Sequence, residues 1–328
     1  MSSSKYAVTA EKFNSISSGR AVTRFPLSWN QVFVLPEWLE LWWRHFGGEY
    51  ELELCGVRES GELIGISPLM IKGKTAFLIG SEDVCDYLDF VVSPGKEQVF
   101  FKTLLGHLKK EGIDCVDLMP VRPDSTVYAH LAPIARESGC EVFLSKADVS
   151  LEMDLPVAWD DYLYLLNGKQ RHEIRRKFRR LHEAGDINYR VVQEFHETVK
   201  TIDLFFTLFI ESREDKAAFM SERMRSFFRQ MVESLSKLNI LKLYILAIDS
   251  EPAAIVLCFD YNSTVYLYNS GYDPKFRSLS VGLLCKALSI RESIREKRRR
   301  FDFLKGAEDY KYRMGGTEVP LYSCRITL

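Results

Sequence analysis

The stretch TVYLYNSGYDPKFRSLSVGLLCKALSI, residues 264–290, constrains the fold of this chain more than any other. It opens with β-branched and aromatic residues in strand-like alternation, and from Ser280 onward its apolar positions recur at helical spacing. Gly271, Asp273 and Pro274 stand between the two patterns, where a turn is required. A strand delivered into a helix by a short turn is the building unit of a layered α/β fold.

The same change of period runs through both halves of the chain. PEWLELWWRHFGG reads as a helix started by Pro36 and stopped at Gly47-Gly48. YELELCGVRESGELIGISPLMI reads as two strands joined at Glu59-Ser60-Gly61. KEQVFFKTLLGHLKKEG is an amphipathic helix followed by the strand IDCVDLM, and a helix near 128–138 leads into CEVFLS. After Ser145 the pattern begins again with a strand VSLEMDL and one long helix over about 157–184. The strand INYRVV, two helices over 197–236, three strands up to TVYLYNS, a helix over 280–297, the strand RFDFL and a closing VPLYSCRITL complete it. The expected class is α/β (α+β), with mixed sheets flanked by helices and domains over 1–147 and 148–328.

Charge narrows the partners. Lys and Arg number 44 against 45 Asp and Glu, so a general polyanion binder with an overall basic excess is disfavoured. MSSSKYAVTAEKFNS lacks the apolar core of a signal peptide, and no stretch approaches the roughly 20 apolar residues of a membrane span. The seven cysteines are scattered singly, without a CxxC pair, which suits reduced thiols in the cytoplasm and points to no metal. The histidines form no HExxH or triad-like pattern.

At the start of the 280–297 helix the chain reads Arg277-x-x-Ser280-x-Gly282. Unpaired N–H groups at a helix N-terminus favour an anion, and small residues let a phosphate approach the backbone. A tight turn with an N-cap is the equally simple alternative. The run KQRHEIRRKFRR places seven Lys or Arg among twelve positions, Lys169–Arg180. Leu163, Leu166, Ile174, Phe178 and Leu181 form an apolar stripe beside it, so this helix is docked on a core. Its arginines, Arg175 among them, face plain solvent, an anionic small molecule or a polyanion such as transfer RNA.

Together, the turn after TVYLYNS and the stretch RRRFDFLKGAEDYKYRMGG resemble the closing half of a Gcn5-related (GNAT) acyltransferase fold. In that family an Arg/Gln-x-x-Gly-x-Gly/Ala turn cradles the pyrophosphate of coenzyme A, and Ser280 here replaces the first Gly. PEWLELWWRHFGG, LIGISPLMI, DYLDFVVSPG, KQRHEIRRKFRRLHEAG and FDFLKGAEDYKYRMGG are similar, in order, to one bacterial branch, over about residues 25–316. This is the CelD-like set associated with cellulose and exopolysaccharide biosynthesis, related to Fem-type peptidyltransferases. The resemblance implies tandem GNAT-like domains, the first for an acceptor and the second for an acyl donor.

Acyl transfer from acetyl-CoA or another acyl-CoA to an amine asks for particular groups. Arg277, Ser280, Val281 and Gly282 are the expected phosphate site. The pantetheine arm can pair with a strand edge of TVYLYNS or RFDFL. Glu308 or Asp302 is the expected proton acceptor, and Tyr310 the donor to the leaving thiolate. Lys311 is expected to meet an anionic substrate or an acidic side chain. In DVCDYLDF, the residues Asp86, Tyr87 and Asp89 either line an acceptor pocket or belong to an ordinary strand. The expected function is N-acyl transfer to a small-molecule amine, such as a sugar precursor of an envelope polysaccharide. The alternatives are a Fem-type aminoacyl transferase using aminoacyl-tRNA, and a non-catalytic binding protein on the same fold.

Overall fold

In the computed structural model, which describes residues 5–18 and 25–328, the chain divides into two units, Met1–Val149 with Val319–Leu328 and Ser150–Glu318. Met1–Ser4, the head of the N-terminal stretch read above, lies outside the described residues.

The first unit contains β1 (Tyr6–Ala10), α1 (Phe13–Ser18), α2 (Pro36–Phe46), β2 (Glu51–Glu59), β3 (Glu62–Lys72), β4 (Thr75–Leu78), β5 (Val91–Val92), α3 (Glu97–Lys110), β6 (Cys115–Val121) and α4 (Ala132–Glu137). Pro36 begins α2 as read, and Gly47 ends it for a steric reason: a Cβ there lies 2.6 Å from the Trp43 ring. Trp38, Trp42, Phe100 and Phe101 are fully buried between helices and sheet. Each contributes on the order of 1.5–3 kcal/mol of burial. The strands run β1-β2-β3-β4-β6, antiparallel except for the parallel pair β4 and β6, whose crossover is α3.

The chain passes into the second unit within β7 (Glu141–Asp154), a single strand where the sequence suggests two. The second unit continues with α5 (Trp159–Leu165), α6 (Gly168–His182), β8 (Ile187–Val192), α7 (Phe195–Ser212), α8 (Glu214–Phe219), α9 (Glu222–Lys237), β9 (Leu241–Ile248), β10 (Glu251–Tyr261), β11 (Thr264–Tyr272), α10 (Val281–Arg295), β12 (Arg300–Lys305) and α11 (Asp309–Arg313). The expected long helix is in fact α5 and α6. Leu166 leaves the helix with extended backbone, and Asn167 and Gln170 close a capping box that starts α6 afresh. The two helices expected over 197–236 become three, because extended Arg213 separates α7 from α8 and Ser221 caps α9.

Here the strand order is β7-β12-β11-β10-β9-β8, with β11 and β12 the parallel pair and α10 their crossover. Both units therefore build a mixed sheet with one helix-bridged parallel pair. The closing strand β13 (Thr317–Thr327) corrects the sequence reading, which keeps it in the second half. Its residues 322–327 pair antiparallel with β6, so Val319–Leu328 belongs to the first unit.

Candidate functional site

Parallel β11 and β12 are in register over Thr264–Tyr266 and Arg300–Asp302, and there the ladder ends. Each strand bulges as they part. Tyr268 is the extra residue of β11 against Leu257 and Cys258, and Phe303 is the extra residue of β12 against Leu151 and Glu152. A bulge bends its strand and sharpens the twist, so paired bulges open the sheet at this point. Leu304, buried and in the left-handed region at φ +63°, holds the bend. That conformation is costly for a bulky side chain. The Asp302 carboxylate stabilises it by accepting the Leu304 N–H at 2.8 Å.

Directly beyond β11, Asp273 accepts the Lys275 N–H and starts a 3-10 turn over Pro274–Leu279. Ser280 then takes the left-handed conformation and α10 begins. The first intrahelical bonds of α10 are donated by Leu283 and Leu284 to the Ser280 carbonyl, so the N–H groups of Val281 and Gly282 precede them. A side chain at Gly282 presses on the Tyr272 ring, 3.2 Å from its Cβ position. Helix α6 delivers charge to this turn. Lys177 Nζ donates to Ser280 Oγ at 2.6 Å, and Arg180 reaches the Ser278 carbonyl at 3.4 Å. Arg277 is exposed on the turn itself.

A second group of cations surrounds the opened strands. Lys216 of α8 donates to the Ser270 carbonyl on β11 beyond its bulge. Lys286 lies one turn into α10, with its ammonium 4.9 Å from the centre of the Tyr310 ring. Burial is the main cause that lowers the pKa of both lysines to about 8, with repulsion from Lys286 contributing at Lys216. Buried Lys311 donates to the carbonyls of Leu304, Lys305 and Gly306 and pairs with Glu308 at 2.8 Å. Glu308 itself is exposed, and its carboxylate lies against Gly306, where a Cβ meets Oε2 at 2.6 Å.

The sequence-predicted residues thus have different placements. Arg277, Ser280, Val281 and Gly282 share one turn, and Glu308, Tyr310 and Lys311 follow the end of β12. Buried Asp302 holds the bulge, and Lys311 holds the loop after β12. Arg175 lies elsewhere on the second unit. With Trp159, Phe178, His182 and Arg291 it lines a cavity of about 320 Å³. Arg291 sits roughly 14 Å along α10 from Gly282.

In the first unit, Asp86–Phe90 lack ladder pairing, so the ordinary-strand reading of this stretch does not hold. Tyr87 is fully buried beneath the Arg122 guanidinium. Buried Asp89 accepts from Phe90, Val127 and both donors of Thr126, and so braces two loop segments. Burial outweighs those bonds and raises its pKa to about 6. Asp86 is half-buried beside them.

Three lysines escape the sequence reading. Lys177 lies within the basic run but is masked there by its neighbours. Lys286 is four residues beyond Gly282, hence on the same helix face, a signal that was available. Lys216 comes from a remote short helix, and nothing in the sequence links it to β11.

Residues 168–312 match the family described as Acetyltransferase (GNAT) domain. No curated protein matches the sequence. Among solved structures, FemX is 10% identical over 97% of this chain and 96% of its own, with a TM-score of 0.62. A conserved protein of unknown function from Bacteroides thetaiotaomicron VPI-5482 is 13% identical over 98% and 99%, also at 0.62. The C-terminal domain of a putative lysylphosphatidylglycerol synthetase from Agrobacterium fabrum is 11% identical over 85% and 84%, at 0.55. At such identities the likeness is one of fold. Residues 168–312, built around the parting parallel strands and the α10 turn, thus match an acetyltransferase (GNAT) domain set on a mixed α/β fold, which supports an acyltransferase.

Proposed function

We propose that the chain transfers an acyl group from a coenzyme A thioester to an amine on an anionic acceptor. The parting of β11 from β12 after three paired residues, directly ahead of the α10 N-terminus, carries this reading. The N–H groups of Val281 and Gly282 receive the donor's pyrophosphate, with Lys177 and Arg277 supplying charge. The amides of the pantetheine arm add to the open edge of β11. The acceptor amine attacks the thioester carbonyl, and the C–S bond breaks from the tetrahedral intermediate. Glu308, paired with Lys311, takes the amine proton directly or through water, and Tyr310 returns a proton to the thiolate. Asp302 is left to position the strand end.

Lys216 and Lys286 favour an acceptor that carries a phosphate or carboxylate. Such a group adds a counter-charge to two half-buried ammonium groups whose nearby carboxylates, Asp215 and Glu308 for Lys216 and Glu308 for Lys286, do not offset their burial. A nucleotide-sugar amine feeding an extracellular polysaccharide fits this chemistry and the CelD-like resemblance. Coenzyme A thioesters place the reaction in the cytoplasm.

A second reading, with aminoacyl-tRNA as the donor, draws on exposed Arg175 and Arg179 of α6 and on the fold shared with FemX. Thermal-shift titration separates the two. Acetyl-CoA at about 100 times its Kd stabilises the protein by about 2.7 kcal/mol under the first reading. Salt-sensitive transfer RNA binding lost on Arg175→Ala/Arg179→Ala, with no response to any coenzyme A species, replaces the first reading with the second. Silence to both leaves a non-catalytic binding protein.

A further inference from the structure

We propose that Glu53, Cys55 and His107 form a zinc site in the first unit, with Glu111 steering the histidine ring from outside. Glu53 and Cys55 alternate on β2 and so point to the same face of the sheet. Helix α3 lies on that face and brings in His107, 54 residues from Glu53 in the chain. No local spacing announces the group, which is why the sequence suggests no metal.

The ligand atoms of the three side chains lie within 4.8 Å of one another. His107 Nε2 is 2.9 Å from Glu53 Oε1, and Cys55 Sγ donates to the same oxygen at 3.1 Å. Tetrahedral zinc, with bonds of about 2.0–2.3 Å, sets such atoms roughly 3.3–3.6 Å apart. Widening by a few tenths of an ångström therefore admits the ion. Cys55 is buried, while Glu53 and His107 are each about a quarter exposed, at 24% and 23%, which leaves a path to solvent.

The second ring nitrogen makes the arrangement more than a hydrogen-bonded trio. His107 Nδ1 lies 3.9 Å from the Glu111 carboxylate, one turn further along α3. In the metal-free chain Nε2–H donates to Glu53, so metal binding moves that proton to Nδ1, the side that Glu111 faces, and frees the Nε2 lone pair in the carboxylate–histidine–metal pattern. One imidazole nitrogen, one sulfur and one carboxylate oxygen suit zinc, whereas calcium and magnesium take oxygen sets. Three protein ligands leave a fourth position for water. The thiol donates its proton to Glu53 without metal, so coordination forms the Zn–S bond and releases that proton to solvent. The ion then clips β2 to the C-terminal half of α3. All four residues belong to the first unit, so the site stands or falls independently of the acyl-transfer reading.

Cobalt titration of the chelator-treated full chain tests the site. One equivalent of Co²⁺ is expected to produce a sulfur-to-cobalt charge-transfer band, abolished by one equivalent of Zn²⁺ and absent from Cys55→Ser and His107→Ala. Glu111→Gln, which spares every ligand, should bind about 10–100-fold more weakly. If the ligand variants do not fold, release of one proton per zinc in the native chain and the Glu111→Gln affinity decide. Absence of the band from the native chain, its persistence in Cys55→Ser, or unchanged affinity in Glu111→Gln overturns the proposal and leaves a hydrogen-bonded cluster.

Discussion

Lys286 and Lys311 are both lysines near the end of β12, yet the structure uses them in opposite ways. Lys311 is buried with three carbonyls and a carboxylate around its ammonium. Lys311→Met leaves those acceptors without their donor and should cost on the order of 3 kcal/mol in urea unfolding. A loss below ~1 kcal/mol counts against this structural role. Lys286 carries its charge at a cost, because its folded pKa, about 8, lies below the unfolded value. For a base shifted in this direction the penalty is complete below pH 8 and fades as the pH rises toward 10.5. Lys286→Met should therefore gain about 1 kcal/mol at pH 7, after discounting for partial exposure, and almost nothing at pH 10. Equal effects at both values contradict the assignment. The same titration governs binding: affinity for an anionic acceptor should fall as the pH passes through 8, as the two lysines lose charge. Sequence reading located Lys311 but left it between an anionic substrate and an acidic side chain, because a lysine after a strand end looks the same whether it faces a ligand or, as here, Glu308 and three carbonyls. Asp302 misleads similarly, since the bulge that turns it toward its own backbone depends on β7, far away in the chain.

Among the elements, the strands and their order of appearance were the most legible. β8, β9, β10, β11 and β12 all fall on the apolar and β-branched runs of the sequence, with β9 and β10 buried on both faces. The helices were less legible. Apolar spacing alone passes over the break at Leu166-Asn167, where the capping box decides. Close approaches are invisible without the fold. Gly271 on β11 has the α7 backbone 2.4 Å from its Cβ position, so Gly271→Ala forces helix and strand apart. A loss of about 2 kcal/mol or more is expected by denaturation. Gly48→Ala, with open space around it, should change stability by less than ~0.5 kcal/mol. Comparable effects at the two positions refute the packing argument. Helix α6, the most basic element, touches the α10 turn through Lys177, so Lys177→Ala should weaken acetyl-CoA binding about five- to tenfold in calorimetry. Unchanged affinity removes α6 from the donor site.

At the scale of the whole molecule, the return of β13 to β6 was not legible. VPLYSCRITL reads as a strand, but nothing in its alternation names its partner. The function rests on the second unit, where the α10 turn and the two strands that flank it lie within one stretch of sequence, 264–305. The central claim is that this turn receives an acyl-coenzyme A. Isothermal titration of the full chain with acetyl-CoA, alongside Gly282→Trp, tests it most directly. The native chain should bind acetyl-CoA saturably and one-to-one, and a folded Gly282→Trp variant, whose bulk is set against the Tyr272 ring at the start of α10, should lose that binding. Absence of heat with the native chain, or equal affinity in the variant, contradicts it.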